Sequence, residues 1–361
     1  MRDNVGPVSL FAAAAAVLAG ALLASPVLGA VSRTGAFAFL EPWVALSRSE
    51  HARLDRGETI VRTLEAKDGQ LAVIAATPLD ASPDDLLAWM RAIEDLKRSR
   101  FVQQIGRFSN PPRVEDLADL TLDDNDLRTI RDCRPGACGM KLTEAEIARL
   151  RNAASGPDWQ QAIQREFRHV MVDRVSRYQA AGLHALEAPA DRTHAAAPAQ
   201  VFTAILEQSP YLTERLPGVA AWLRGYPKTA GPSVESFFYW SKELYGRGKP
   251  VVSITHVAMM RPPAEQGPAV VVAGRQIFAT HYINGALSLT MLLREPDQGH
   301  AYLVYLNRSQ VDVLTGFFGG IARTIVERRL RRDAPEILRG LRARLESGEP
   351  PTVQVRRTSS F

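Results

Sequence analysis

The chain has 361 residues, 46% hydrophobic and 23% charged, with a net charge of +5 at neutral pH. Those proportions exclude wholesale disorder and leave room for one large domain or two small ones. The modest positive excess is mostly arginine, and no nucleic-acid-binding motif or aromatic–basic interleaving accompanies it, which argues against a nucleic-acid partner.

The chain opens with MRDNVGPVSLFAAAAAVLAGALLASPVLGAVS, in which one weak positive charge, Arg2, precedes an uncharged Ala/Leu-rich run. Residues 1–30 read as an export signal cleaved after Gly29 or Ala30, with an N-terminal membrane anchor as the alternative. Both readings put the folded part outside the cytoplasm, in the periplasm for the first. A linker is expected around Arg48 to Arg56. In ETIVRTLEAKDGQLAVIAATPL, Asp68-Gly69 between two β-rich runs marks a hairpin. Ser82 is an N-cap, with Pro83 in the first turn and Asp84 and Asp85 beside the positive helix end, so a helix carrying Leu86, Leu87, Met90, Ile93 and Leu96 follows. RFVQQIGRF is a candidate strand, and Asn110-Pro111-Pro112 closes a module spanning 48–110.

Residues 111–232 read as a helical insertion. The acidic run Asp123, Asp124, Asn125, Asp126 lacks the glycine and terminal glutamate of a calcium loop and reads as a cap and solvated turn. Thr143 and Glu146 form a capping box, and Asp158 is expected to cap a longer helix with Phe167, Met171 and Val175 on its apolar side. Pro189 to Pro198 breaks the chain, and Pro210, Pro217, Pro227 and Pro232 punctuate short helices. Cys133 and Cys138 flank the turn Pro135-Gly136 and read as a small-loop disulfide, with free thiols or metal and redox chemistry as the alternatives.

The region 233–348 carries five strands in a row and one long helix. Phe237 and Tyr239 fall on one face of the first strand, and Phe238 and Trp240 on the other. In VVSITHVAMM, Val252, Ile254, His256, Ala258 and Met260 share a face. Asn284-Gly285 is the expected hairpin turn after AVVVAGRQIFATHY. Short connections imply an antiparallel meander. The helix follows Gly316, Gly319 and Gly320, read as a hinge; these lack the Lys-Ser/Thr of a phosphate loop. Asp333 with Pro335 predicts a break or kink. Arg328, Arg329, Arg331, Arg332, Arg339, Arg342 and Arg344 read as a solvated face, with docking to an anionic membrane surface as the functional alternative. Residues 349–361 are expected to be a flexible tail.

The fold class implied is α+β: a curved antiparallel sheet gripping a long C-terminal helix, with a helical insertion. The order of strands, short helical piece (Pro83 to Lys97), further strands and long helix resembles the START/Bet v1-like, or SRPBCC helix-grip, superfamily over about two-thirds of the chain. That resemblance implies an apolar cavity between sheet and helix for an apolar small molecule or lipid; an ordinary α+β core without a cavity is the competing reading. Candidate ligand contacts are Tyr239, His256, Met260, His281 and Phe317, with His256 and His281 available as acid–base groups if both face the cavity, or simply as hydrogen-bonded structural histidines. No G-x-S-x-G elbow and no metal or cofactor motif is present. The leading function is an exported ligand-binding protein. The alternatives are a cyclase- or hydrolase-type enzyme on the same fold and an envelope protein docking a partner through its insertion.

Overall fold

Period-two alternation of aromatic and β-branched residues produces eight strands. They are β1 (Ile60–Leu64), β2 (Gln70–Leu79), β3 (Val102–Arg107), β4 (Glu235–Glu243), β5 (Val251–Met260), β6 (Val270–Ala279), β7 (Ile283–Arg294) and β8 (Ala301–Val311). In the computed structural model, which describes residues 35–67, 69–229, 234–244, 248–263, 267–295, 301–315 and 319–348, they form one antiparallel sheet in the order β1-β2-β8-β7-β6-β5-β4-β3. The expected leader, the tail, Asp68 and the glycine-flanked Phe317 lie outside the described residues. The fold is α+β, as the sequence implies.

Ten α-helices accompany the described sheet. The expected linker after Ser47 is instead helix α1 (Arg48–Asp55), because Ser47 and Glu50 close a capping box and Leu54 is buried. Ser82 accepts from the Asp85 backbone N–H and starts α2 (Pro83–Arg91), and α3 (Ile93–Leu96) follows. Between β3 and β4 lie α4 (Asp124–Asp132), α5 (Glu144–Ala153), α6 (Trp159–Ala181), α7 (Pro198–Glu207), α8 (Pro210–Arg215) and α9 (Pro217–Gly225). The Thr143–Glu146 capping box is present, but Asp158 makes no side-chain cap bond to α6. Asp123 caps α4, whereas Asp126 is buried rather than solvated. Cys133 and Cys138 are joined by a disulfide.

The terminal helix α10 (Gly319–Leu345) runs unbroken through Pro335, against the expected interruption. Proline costs one backbone bond there, while Leu338 and Leu345 beyond it are buried and hold the helix on course. The helix carries eight arginines against three acids, so its net +5 equals that of the whole chain.

The Asn284-Gly285 hairpin is also displaced. Both residues lie inside β7, and the positive φ of the turn, 62°, falls on Tyr282. The Asn284 amide is used elsewhere: it donates to Asp312 Oδ1 (2.7 Å) and accepts from Lys141 Nζ (2.7 Å).

Both faces of the sheet are covered. Phe238, Trp240, Ile254, Ala258 and Met260 join one core with helices α4–α9. Phe237, Tyr239, Val257, Val272 and Leu303 face the other way, toward α2, α3 and Leu345 of α10. Val326 and Leu330 of α10 pack on Leu71 and Val73 of β2. The sheet is therefore the middle of three layers. Gly106 of β3 shows how close the packing is: a Cβ there would stand 2.9 Å from the indole of Trp240.

Candidate functional site

The layer between sheet and α10 is not filled. A cavity of about 570 Å³ lies there, floored by β2 and β4–β8 and roofed by α2, α3 and the second half of α10. Its roof is apolar, with Met90, Ile93 and Leu96 on one side and Leu330, Leu338 and Leu341 on the other. The floor mixes Val73, Val257, Val272 and Leu303 with hydroxyls. Cross-strand register explains the mixture: Tyr239 pairs with Thr255, and Thr290 with Tyr305, so these side chains share one face of the pleat.

The polar residues gather at one end. Lys97, the C-cap of α3, sits where the partial negative charge of a helix terminus favours a cation. Its Nζ donates to Glu243 Oε1 (2.6 Å) and to Tyr239 Oη (3.2 Å), and lies 5.0 Å from the Tyr239 ring centroid. Ser241 Oγ donates to the same Glu243 oxygen at 2.6 Å. Tyr305 lines the cavity nearby, and burial pushes its phenol up to about 12. It keeps some accessible surface although it lies deep in the fold, because that surface borders the cavity. Its hydroxyl therefore stays protonated through the physiological range and can donate to a ligand.

The mouth is latched by ionic and backbone contacts. Arg344 of α10 donates to Leu96 O (3.0 Å) and Arg98 O (2.6 Å), and Arg100 pairs with Glu336 at 2.7 Å. These tie the segment following α3 to the terminal helix across the rim of the cavity.

Of the residues named from sequence, Tyr239 lines this cavity. His256, Met260 and His281 do not: they belong to the opposite face, under the insertion. The reason is parity. His256 is the cross-strand partner of Phe238, not of Tyr239, so it points away from the cavity. There it is ringed by Tyr178, Trp222, Tyr226 and Phe238. Burial first, and then the nearby Arg275 cation, hold its pKa well below the ordinary histidine value. His281 Nδ1 faces Gly139 O at 2.9 Å and its Nε2 faces Asp126 Oδ1 at 3.0 Å, which braces the sheet against α4. Sequence reading missed Lys97, Glu243, Thr255, Thr290 and Tyr305. For Thr255, Thr290 and Tyr305 the available signal was a polar residue at mid-strand; Lys97 lies on no strand and Glu243 at the end of β4, so neither carried it. Among the described residues, no group of His, Cys, Asp or Glu side chains could hold a metal ion.

No family model matches the chain, and no curated protein matches it. Among solved structures, a Thermus thermophilus protein is 14% identical, spans 42% of this chain and 91% of its own, and superposes with a TM-score of 0.24. The Zhui aromatase/cyclase of a Streptomyces species is 15% identical over 37% of this chain and 84% of its own, with a TM-score of 0.23. The likeness is too loose to carry ligand or chemistry across.

Proposed function

We propose that the chain is a START-like binding protein that encloses an apolar small molecule or lipid between its sheet and α10, and that it works outside the cytoplasm. The observation that carries this reading is the 570 Å³ cavity, which falls within the usual range for small-molecule sites and has apolar walls with a few convergent polar groups. The strand order supports the helix-grip element of the proposal. β2 to β8 form a continuous antiparallel set, two short helices follow its first strand, and a long helix closes the chain. The disulfide supports the extracytoplasmic element, since such bonds persist in oxidising compartments.

The cavity favours an amphipathic guest. Its apolar body would lie under Leu338 and Leu341, with a hydroxyl or carbonyl directed at Lys97, Tyr239 and Tyr305. Native mass spectrometry of protein purified from its own envelope, followed by organic extraction, tests this. A bound apolar species that is lost in Val257→Trp, which fills the cavity, is the expected result. An empty wild-type protein that also fails to take up an apolar dye would sink the proposal.

A second reading, a cyclase- or hydrolase-type enzyme, draws on the same end of the cavity. Lys97, Tyr239 and Glu243 form a hydrogen-bonded set able to move a proton. In that case Lys97→Met would abolish turnover while ligand is retained, and His256→Phe would leave turnover intact.

A further inference from the structure

A second pocket of about 530 Å³ lies on the opposite face of the sheet, bounded by β1, the end of α7 and the start of α8. At its base is Arg308 of β8, whose side chain comes from the strand face that carries Val304 and Leu306. Arg308 is only 7% exposed. A buried guanidinium ordinarily has a carboxylate beside it. Among the described residues Arg308 has none. Its Nη1 donates two long bonds, to Gln70 Oε1 (3.3 Å) and Gln208 Oε1 (3.2 Å). The Nε–H is buried without an acceptor, and Nη2 takes part in neither bond.

The surroundings sharpen the point. Burial lowers the Arg308 pKa, and the phenol of Tyr211 is the one group that offsets this. An arginine this basic nonetheless stays charged at neutral pH. Of the other charged residues around the pocket, Arg62 is paired with Glu50, while Glu65, Lys67 and Glu207 are exposed at the rim. Trp43, Val44, Leu64 and Pro210 give the walls an apolar surface.

We propose that this pocket is a binding site for a small carboxylate with an apolar or aromatic body, whose carboxylate pairs with Arg308. A carboxylate would pair with Nη2, the guanidinium nitrogen outside those two bonds, and its charge neutralises the buried cation. The site is separate from the cavity under α10 and does not depend on that reading.

The test is calorimetric titration and thermal melting of the full chain with benzoate, benzamide and inorganic phosphate. It is run on wild type, on Val257→Trp with the other cavity filled, and on Arg308→Met. Benzoate is expected to bind wild type and Val257→Trp alike, and benzamide at least tenfold more weakly. Arg308→Met should melt at or above wild type without ligand, because it removes a buried unpaired charge, and should bind benzoate at least tenfold more weakly. If Arg308→Met does not fold, Leu64→Trp, which narrows the pocket while keeping Arg308, should lose benzoate binding instead. The proposal is overturned if benzoate fails to bind wild type at 10 mM, if Arg308→Met or the narrowed pocket binds it unchanged, or if phosphate binds more tightly than benzoate. It is also overturned if benzoate binding disappears in Val257→Trp.

Discussion

Phe238 and His256 are cross-strand partners on β4 and β5, and their rings stack with centroids 4.3 Å apart and planes 8° from parallel. The stack sits inside an aromatic shell with Arg275 close by. Arg275 Nη1 donates to Tyr178 Oη at 2.8 Å, and the same hydroxyl meets His256 Nδ1 at 3.2 Å. Burial and the Arg275 cation hold His256 neutral.

Acid should therefore unfold the protein partly through His256. Its pKa is depressed in the folded state and near 6.5 when unfolded. The unfolded chain thus binds the extra proton first. Stability is intact above about pH 6.5 and falls below it, by about 1.4 kcal/mol per pH unit for this one site, until the folded pKa is reached. Thermal melts between pH 7.5 and 5 should show a slope that is shallower in His256→Phe. Parallel slopes would clear His256 of this role.

Tyr305→Phe should leave stability within about 1 kcal/mol of wild type, since a single neutral hydroxyl is removed. A polar-ended ligand should bind roughly tenfold more weakly, and a wholly apolar dye should bind as before. Competition between the two in a fluorescence titration separates these effects. Equal losses for both would mean that the ring, not the hydroxyl, is what matters.

The rim latch should govern rates rather than stability. Arg100 and Glu336 are 61% and 49% exposed, so the pair contributes at most about 1 kcal/mol. Arg100→Glu replaces attraction with repulsion at the mouth. Ligand release measured by stopped flow is expected to quicken several-fold, with the melting temperature almost unmoved. An unchanged release rate would place the exit elsewhere.

Reducing the Cys133–Cys138 bond should cost about 2 kcal/mol by loop-closure reasoning, because the loop is short. Backbone bonds from Gly136 to Ala190 (2.8 Å) and from Cys138 to Asp191 (3.1 Å) hold the loop independently. Melts with and without a reductant should differ by a few degrees, and the β-sheet signal in circular dichroism should survive reduction at room temperature.

Strand parity was legible from the residues alone: Phe237 and Tyr239 do part from Phe238 and Trp240. What covers each face was not. Both faces are apolar and buried, so periodicity could not reveal that His256 and Met260 lie under the insertion while Tyr239 lies over a cavity. Lys97 and Glu243 were out of reach for another reason, since they come from distant stretches that only the completed sheet brings to 2.6 Å. The turn at Tyr282 shows local chemistry yielding to tertiary demand. Asn284-Gly285 carries the stronger turn signal, yet the Asn284 side chain is taken by Lys141 and Asp312.

The place of β2 in the sheet has a consequence for how the chain reaches this form. β2 lies between β1 and β8, in register from Gln70 opposite Gln310 to Leu79 opposite Ala301. Until β8 has emerged, the early hairpin lacks its inner neighbour and its hydrogen-bonding edge stands open. A chain delivered from its N-terminus would stay incompletely folded until nearly all of it had appeared. Such high contact order implies slow closure, and a late-closing chain is one that can still be threaded through a narrow channel before it sets.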